Sequence, residues 1–352
     1  MQSLLYVIAT IIIMIVTLIH EYGHFIVARK YNVFVKTFSV GFGKTLWSVK
    51  SNKSGTVYKI SAIPLGGYVE PIDQESLDNM KRECLENGGD IDELNKLNGH
   101  TMDDASPWQR FLIAVAGPLA NFIFAAFLFV CVYCCIGLKE YRVLHETDDV
   151  LKYGLRQNDI IGQYSKNKNN DNVLLVSRSG DGIQRIIVSD VPDEIKNTSD
   201  FVNKILNKDS NAIDVIIQRN PAILLATILT KEYVYTKLTA KGLVKIFTFS
   251  KESRQNTGGF ASIISFISKQ ACSGFVGAMD AIILISIMLG AFNVMPIIPL
   301  DGGRMVIELY QIISRKTLHK SAEKYINIIG ISVILFLFAY SNIMDIIRFL
   351  FW

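Results

Sequence analysis

Two histidines and a glutamate stand in the order His-Glu-x-x-His at His20, Glu21 and His24. On a helix, residues four apart lie one turn above the other on the same face. Both imidazoles can therefore reach one metal ion, with Glu21 beside it as a general base toward a water. The chemistry this predicts is zinc-assisted hydrolysis of a peptide bond. A helix end that merely lifts polar side chains toward a membrane surface would not need two histidines spaced around a glutamate. Catalytic zinc normally takes three protein ligands and leaves the fourth position to water, so a third ligand is expected elsewhere. The stretch "NVMPIIPLDGGR", Asn293 to Arg304, offers Asp301. An anionic carboxylate there would offset the charge of the ion. Glu308 is the other carboxylate nearby and remains an alternative third ligand. His100 and His319 sit in charged surroundings and are poor candidates.

These residues need elements to hold them. Half of the 352 residues are hydrophobic and the mean hydropathy is +0.30, too apolar for an ordinary soluble enzyme. Crossing a bilayer core of about 30 Å takes roughly 20 apolar residues in a helix. Four segments approach or meet that length: Leu4–Ala28, Phe111–Leu138, Gly274–Leu300 and Tyr325–Ile343. The first ends at the histidines and the third at Asp301. Pro296 and Pro299 break the third helix and Gly302-Gly303 permit a sharp turn. Irregular backbone at membrane depth is tolerated where protein buries it or where it lines a watered cavity. The first span lacks a basic leader and a small-residue cleavage site, so it reads as an anchor and not a signal peptide.

Charge sets the expected orientation. Arg29, Lys30, Lys36, Lys44, Lys50, Lys53 and Lys59 follow the first span, and Arg304, Arg315, Lys316, Lys320 and Lys324 follow the third. Lys and Arg concentrate in cytoplasmic loops, which places the N-terminus and the 139–270 segment outside and the histidines near the cytoplasmic side. His145 then falls on the wrong side to be a ligand. The five cysteines, three of them in the second span at Cys131, Cys134 and Cys135, read as small apolar packing residues.

The chain divides into an N-terminal membrane part over 1–138, an outer domain over 139–235, an amphipathic membrane-surface linker over 236–273 and a C-terminal membrane part over 274–352. Phe34–Glu70 reads as β-strands broken by Gly and Pro, and the acidic, Asn-rich Ile72–Asp104 as a surface loop. In the outer domain, "VLLVSR", "GIQRIIVS" and "AIDVIIQR" alternate as strands do, while "DEIKNTSDFVNKILN" reads as a helix.

His-Glu-x-x-His in one span with "NVMPIIPLDG" in a later one resembles the signature of the site-2 protease family of intramembrane zinc metalloproteases, and in particular its regulator-of-sigma-E protease group. "SVGFGKTLW", "IPLGGYV" and "WQRFLIAVAGPLANFIFA" extend the resemblance. It implies that His20, His24 and Asp301 bind one zinc ion and that Glu21 activates the water. It also implies that Asn293 lies near the substrate and that Gly66, Gly67 and Tyr68 belong to a membrane re-entrant β-loop that pairs with an unwound substrate. Pro118 and Asn121 match a packing motif. Ile298 stands where the group often has proline, and "TGGFAS" lacks a proline usual after its glycine. "YGLRQNDII" resembles a PDZ-domain strip, with Asn158 in place of a glycine.

The fold class expected is therefore a polytopic α-helical membrane protein of about four transmembrane helices, with a re-entrant β-loop and a small extracytoplasmic α+β PDZ-like domain. The expected partners are a transmembrane substrate, such as an anti-sigma factor or signal-peptide remnant, and the lipid bilayer, with no nucleic acid. The expected location is a bacterial inner membrane. The competing reading is an inactive membrane scaffold that binds partners through its outer domain.

Overall fold

The computed structural model describes every residue except 1, 53, 87–98, 167–171, 179–181, 189–190, 193–194, 196–197, 203–205, 207–212, 248–259, 273 and 352. In chain order the elements are α1 (Gln2–Lys30), β1 (Val35–Lys50), β2 (Val57–Pro71), α2 (Gln74–Glu86), α3 (Pro107–Ile136), β3 (Leu138–Val143), α4 (Asp148–Lys152), β4 (Ile160–Lys166), β5 (Asn172–Arg178), β6 (Gly182–Val188), α5 (Thr198–Phe201), β7 (Ile213–Gln218), α6 (Pro221–Phe247), α7 (Phe260–Cys272), α8 (Phe275–Asn293), α9 (Asp301–Ser314) and α10 (Lys320–Phe351). Two compact units emerge, one from 1–129 with 227–352 and one from 130–226.

In the first unit, Tyr6–Lys30, Pro107–Ile136, Phe275–Asn293 and Tyr325–Ile343 are each long and apolar enough to cross a membrane, at the four places the hydropathy marks. This is a polytopic helical membrane protein. The third span is helical only to Asn293, because Pro296 and Pro299 have no N–H to continue the ladder. Ala9, Ile12 and Val16 of α1 share a core with Ala281 and Ile282 of α8 and Ile267 of α7. Part of the 236–273 segment therefore packs on the spanning helices. The apolar face of α7 finds its partners among the spanning helices, and Ile267 is fully buried. Helix α6 also runs unbroken through the expected boundary at 235.

A correction concerns Ile72–Asp104. Its first part is not loop, since "QESLDNMKRECLE" forms α2. Asp73 starts it, its Oδ1 accepting from the Ser76 N–H at 2.7 Å, as an N-cap side chain does. The acidic composition marks a solvated helix here.

Strands β1 and β2 pair antiparallel with several shifts of register. The first half of β1 is flanked by 67–71 on one side and 57–60 on the other, and its second half pairs with 57–61. The sheet is thus curled, and 67–71 lies along an edge of it.

The second unit is a five-stranded antiparallel sheet in the order β6-β5-β4-β3-β7. Its core is built from Leu155, Ile161, Leu174, Val176, Phe201 and Val202. Of the helix expected in "DEIKNTSDFVNKILN", the described α-helical residues are Thr198–Phe201. Asn158 has φ 68°. Asparagine is among the few residues that tolerate this left-handed region, so it suits the turn before β4.

Candidate metal centre

Helix α1 carries His20 and His24 on one face, and their rings meet edge to face with centroids 4.8 Å apart. Their Nε2 atoms lie 3.2 Å apart. Asp301 closes the triangle: its Oδ2 is 2.9 Å from His20 Nε2 and 3.2 Å from His24 Nε2. Among the described residues these three form the group of His, Cys, Asp and Glu side chains able to hold one metal ion. Zinc bonds of about 2.0–2.1 Å at tetrahedral angles would place ligand atoms about 3.3 Å apart, a few tenths of an ångström wider than this triangle. The donor chemistry also fits. His24 Nδ1 lies 2.7 Å from the carbonyl oxygen of Ile113. A carbonyl only accepts, so Nδ1 carries the proton and the neutral ring keeps the Nε2 lone pair for a metal.

Small residues let the elements approach this closely. A Cβ at Gly117 of α3 would collide with the His24 ring, and one at Gly23 would fall 2.7 Å from the Cβ of Ala120. On the other side, Asp301 opens α9 after the 294–300 turn. A Cβ at Gly302 would strike the carbonyls of Val294 and Met295, and one at Gly303 would lie 2.6 Å from the backbone nitrogen of Ile298. The Asp-Gly-Gly order therefore serves packing. The two glycines let the turn fold flat against the helix start, and the aspartate sits in the first turn, where a negative side chain suits the helix dipole.

Glu21 faces the curled sheet. The Val69 N–H donates to Glu21 Oε2 at 3.1 Å, and a Cβ at Gly67 would lie 3.5 Å from Glu21 Cγ. Among the described strands 67–71 pairs with β1 alone, and its outer edge runs beside the carboxylate. Gly66 is buried with φ 138° under the Phe42 ring, and Tyr68 stacks on Phe42.

Other predicted residues lie elsewhere. The Asn293 amide donates to the Leu289 carbonyl at 3.0 Å and stays on its own helix. Glu308, the alternative third ligand, is not in the cluster: Arg110 Nε donates to its Oε1 at 2.9 Å. Burial pushes the Glu308 carboxyl above its ordinary value, and the Arg110 guanidinium works against that rise. Arg110 also donates to the Gln311 side chain and the Ala105 carbonyl, so it clasps α3 to α9.

One residue read as packing turns out to touch the site. Asn121 is fully buried, and its carboxamide lies 3.2 Å from His20 Nδ1. A polar side chain inside an apolar span demands a partner, and that demand was the available signal.

The family model for peptidase family M50 matches residues 8–337. A Campylobacter jejuni protein named as a candidate zinc metalloprotease is 27% identical over 98% of this chain and 94% of its own length. One from Clostridium acetobutylicum, named likewise, is 28% identical over 97% of each. The regulator of sigma-E protease RseP of Escherichia coli is 41% identical over 40% of this chain and 28% of its own length. The chain belongs to peptidase family M50, the site-2 protease family of metalloproteases.

Proposed function

We propose that this protein is an intramembrane zinc endopeptidase that cuts peptide bonds within transmembrane segments, with His20, His24 and Asp301 as zinc ligands and Glu21 as general base. The observation that carries the reading is the meeting of three ligand atoms from α1 and α9, 281 positions apart in sequence for His20 and Asp301, beside a second carboxylate, that of Glu21. When bound, zinc supplies Lewis-acid polarisation of the scissile carbonyl and lowers the pKa of a coordinated water to about 7. Glu21 takes the proton from the attacking water and later delivers it to the leaving amine. The intact quartet argues against an inactive scaffold.

A transmembrane helix hides its scissile bond, so the substrate must unwind before attack. The edge at Gly67 and Val69, next to Glu21, would hold the opened chain by strand addition. The tip of the same sheet is apolar and open, with Leu46 67% and Trp47 55% exposed, which supports a loop that dips into lipid. Asn293, at the end of α8, would contact the substrate beyond the cut. The five-stranded second unit would act as a PDZ-like extracytoplasmic filter, selecting anti-sigma factors or signal-peptide remnants already trimmed by another protease. The basic residues after the first and third spans support a bacterial inner-membrane orientation with the N-terminus outside and the site near the cytoplasmic face.

Glu21→Gln tests the assignment, because it removes the base and no ligand. In cells producing this variant, membrane fragments cut by the wild type should persist uncut, while the purified variant keeps its zinc. Turnover of a membrane substrate at the wild-type rate would refute the role of Glu21.

A further inference from the structure

We infer that Asn121 is a positioning residue for His20, its side-chain oxygen accepting the Nδ1 proton of His20 and so fixing the tautomer whose Nε2 faces Asp301 and His24. The inference rests on the reading of His20 as a metal ligand. Asn121 lies on α3, wholly buried, with its carboxamide 3.2 Å from His20 Nδ1. Its backbone carbonyl accepts from Ser286 Oγ of α8 at 2.9 Å, and Ser286 is itself fully buried. The backbone at 121 is thus tied to a second helix, and the carboxamide moves only about its own torsions.

The two ends of a carboxamide are distinguished by their partners alone, and here the two orientations have opposite consequences. With the NH2 group toward the ring, Nδ1 must accept, so Nε2 carries the proton and points it at Asp301 Oδ2, 2.9 Å away. A protonated Nε2 has no lone pair for a metal. In that orientation Asn121 Oδ1 is buried without a hydrogen-bond partner; turning the amide exchanges that oxygen for the NH2 group, so the lone pair at His20 Nε2 is what separates the two. Turned by 180°, the same oxygen accepts the Nδ1 proton and leaves Nε2 bare. His24 reaches that state differently, since the Ile113 carbonyl admits only one tautomer. Both ligand histidines are therefore held at Nδ1 from α3, one by a fixed carbonyl and one by a side chain with two positions. Metal-bound histidines generally donate their other ring N–H to an oxygen, and losing that partner weakens metal binding about 10–100-fold.

The test is zinc retention by the detergent-purified full-length protein against increasing EDTA, independent of any protease assay. Asn121→Leu keeps the size of the side chain and removes the acceptor, and should bind zinc about 10–100-fold more weakly than wild type. Asn121→Asp keeps the acceptor and has no N–H to donate, and should retain zinc to within a few-fold of wild type. A folded Asn121→Leu protein with wild-type zinc affinity would overturn the inference. So would an Asn121→Asp protein that loses zinc as Asn121→Leu does. If Asn121→Leu does not fold, Asn121→Asp decides alone, because an amide that serves by donating predicts loss there. A wild-type protein that holds no zinc would instead sink the parent reading.

Discussion

The ligand histidines are legible in sequence because their relation is local: a spacing of four on a helix fixes one face. What supports them is not local. Pro118 and Asn121 are recognisable as part of a packing motif, but the contacts of Gly117 with His24 and of Asn121 with His20 cross from one span to another. Gly117 matters for what it lacks. An added Cβ would overlap the His24 ring, so Gly117→Ala must move either the ring or helix α3. Overpacking of this kind costs about 1–3 kcal/mol. If the ring moves and the cost falls on the reaction barrier, that range corresponds to a loss of activity of about fivefold to 150-fold, with weaker zinc binding in parallel. Zinc titration and cleavage assays on Gly117→Ala should both report it, and a variant equal to wild type in both would show that the close approach is not needed.

At the scale of elements, hydropathy located the four helices that are long and apolar enough to span a membrane among the described residues, because length and apolarity are properties of a single segment. It could not show that α7 packs among them, since an amphipathic segment suits a membrane surface and a protein surface equally. Nor did composition reveal α2, whose acidic residues suit loop and solvated helix alike. The Arg110–Glu308 pair shows a third limit: a carboxylate near a metal motif reads as a ligand until its partner, 198 positions away, is placed. Both side chains are largely buried, 17% and 13% exposed. Removing one member strands the other, at about 3–5 kcal/mol, whereas replacing both with apolar residues is often neutral. Arg110→Met should therefore lower stability in detergent by about 3 kcal/mol, and should weaken zinc retention because Asp301 opens the same helix as Glu308. Adding Glu308→Leu should recover much of the stability. A double variant no more stable than Arg110→Met would show that the clasp is not the cause.

At the scale of the whole molecule, the alternating strands of the second unit were legible by period, but the ion pair that stabilises its turn was not. Asp159 is 1% exposed, accepts from Arg178 Nε at 2.9 Å and from Nη2 at 2.7 Å, and takes the Arg156 N–H as well. Burial alone would raise its carboxyl; the Arg178 and Arg156 contacts outweigh burial and hold it below the ordinary range. A depressed carboxylate contributes stability fully above its unfolded value of about 3.9, and that contribution is lost as pH falls through the lower folded value. Asp159→Ala should thus destabilise the second unit by about 3 kcal/mol at pH 7, with the difference from wild type shrinking below about pH 4. Zinc content should not change, because every proposed ligand lies in the first unit. A constant difference from pH 7 to pH 2 in chemical-denaturation curves would contradict the ionic origin. The proposed chemistry needs one ion held between the first and last thirds of the chain. Metal analysis of purified wild type and Asp301→Ala tests it most directly. The wild type should carry about one zinc per chain, as a single three-ligand site requires, and Asp301→Ala should lose it while keeping its helical circular dichroism. A folded Asp301→Ala protein that retains its full zinc would contradict the account.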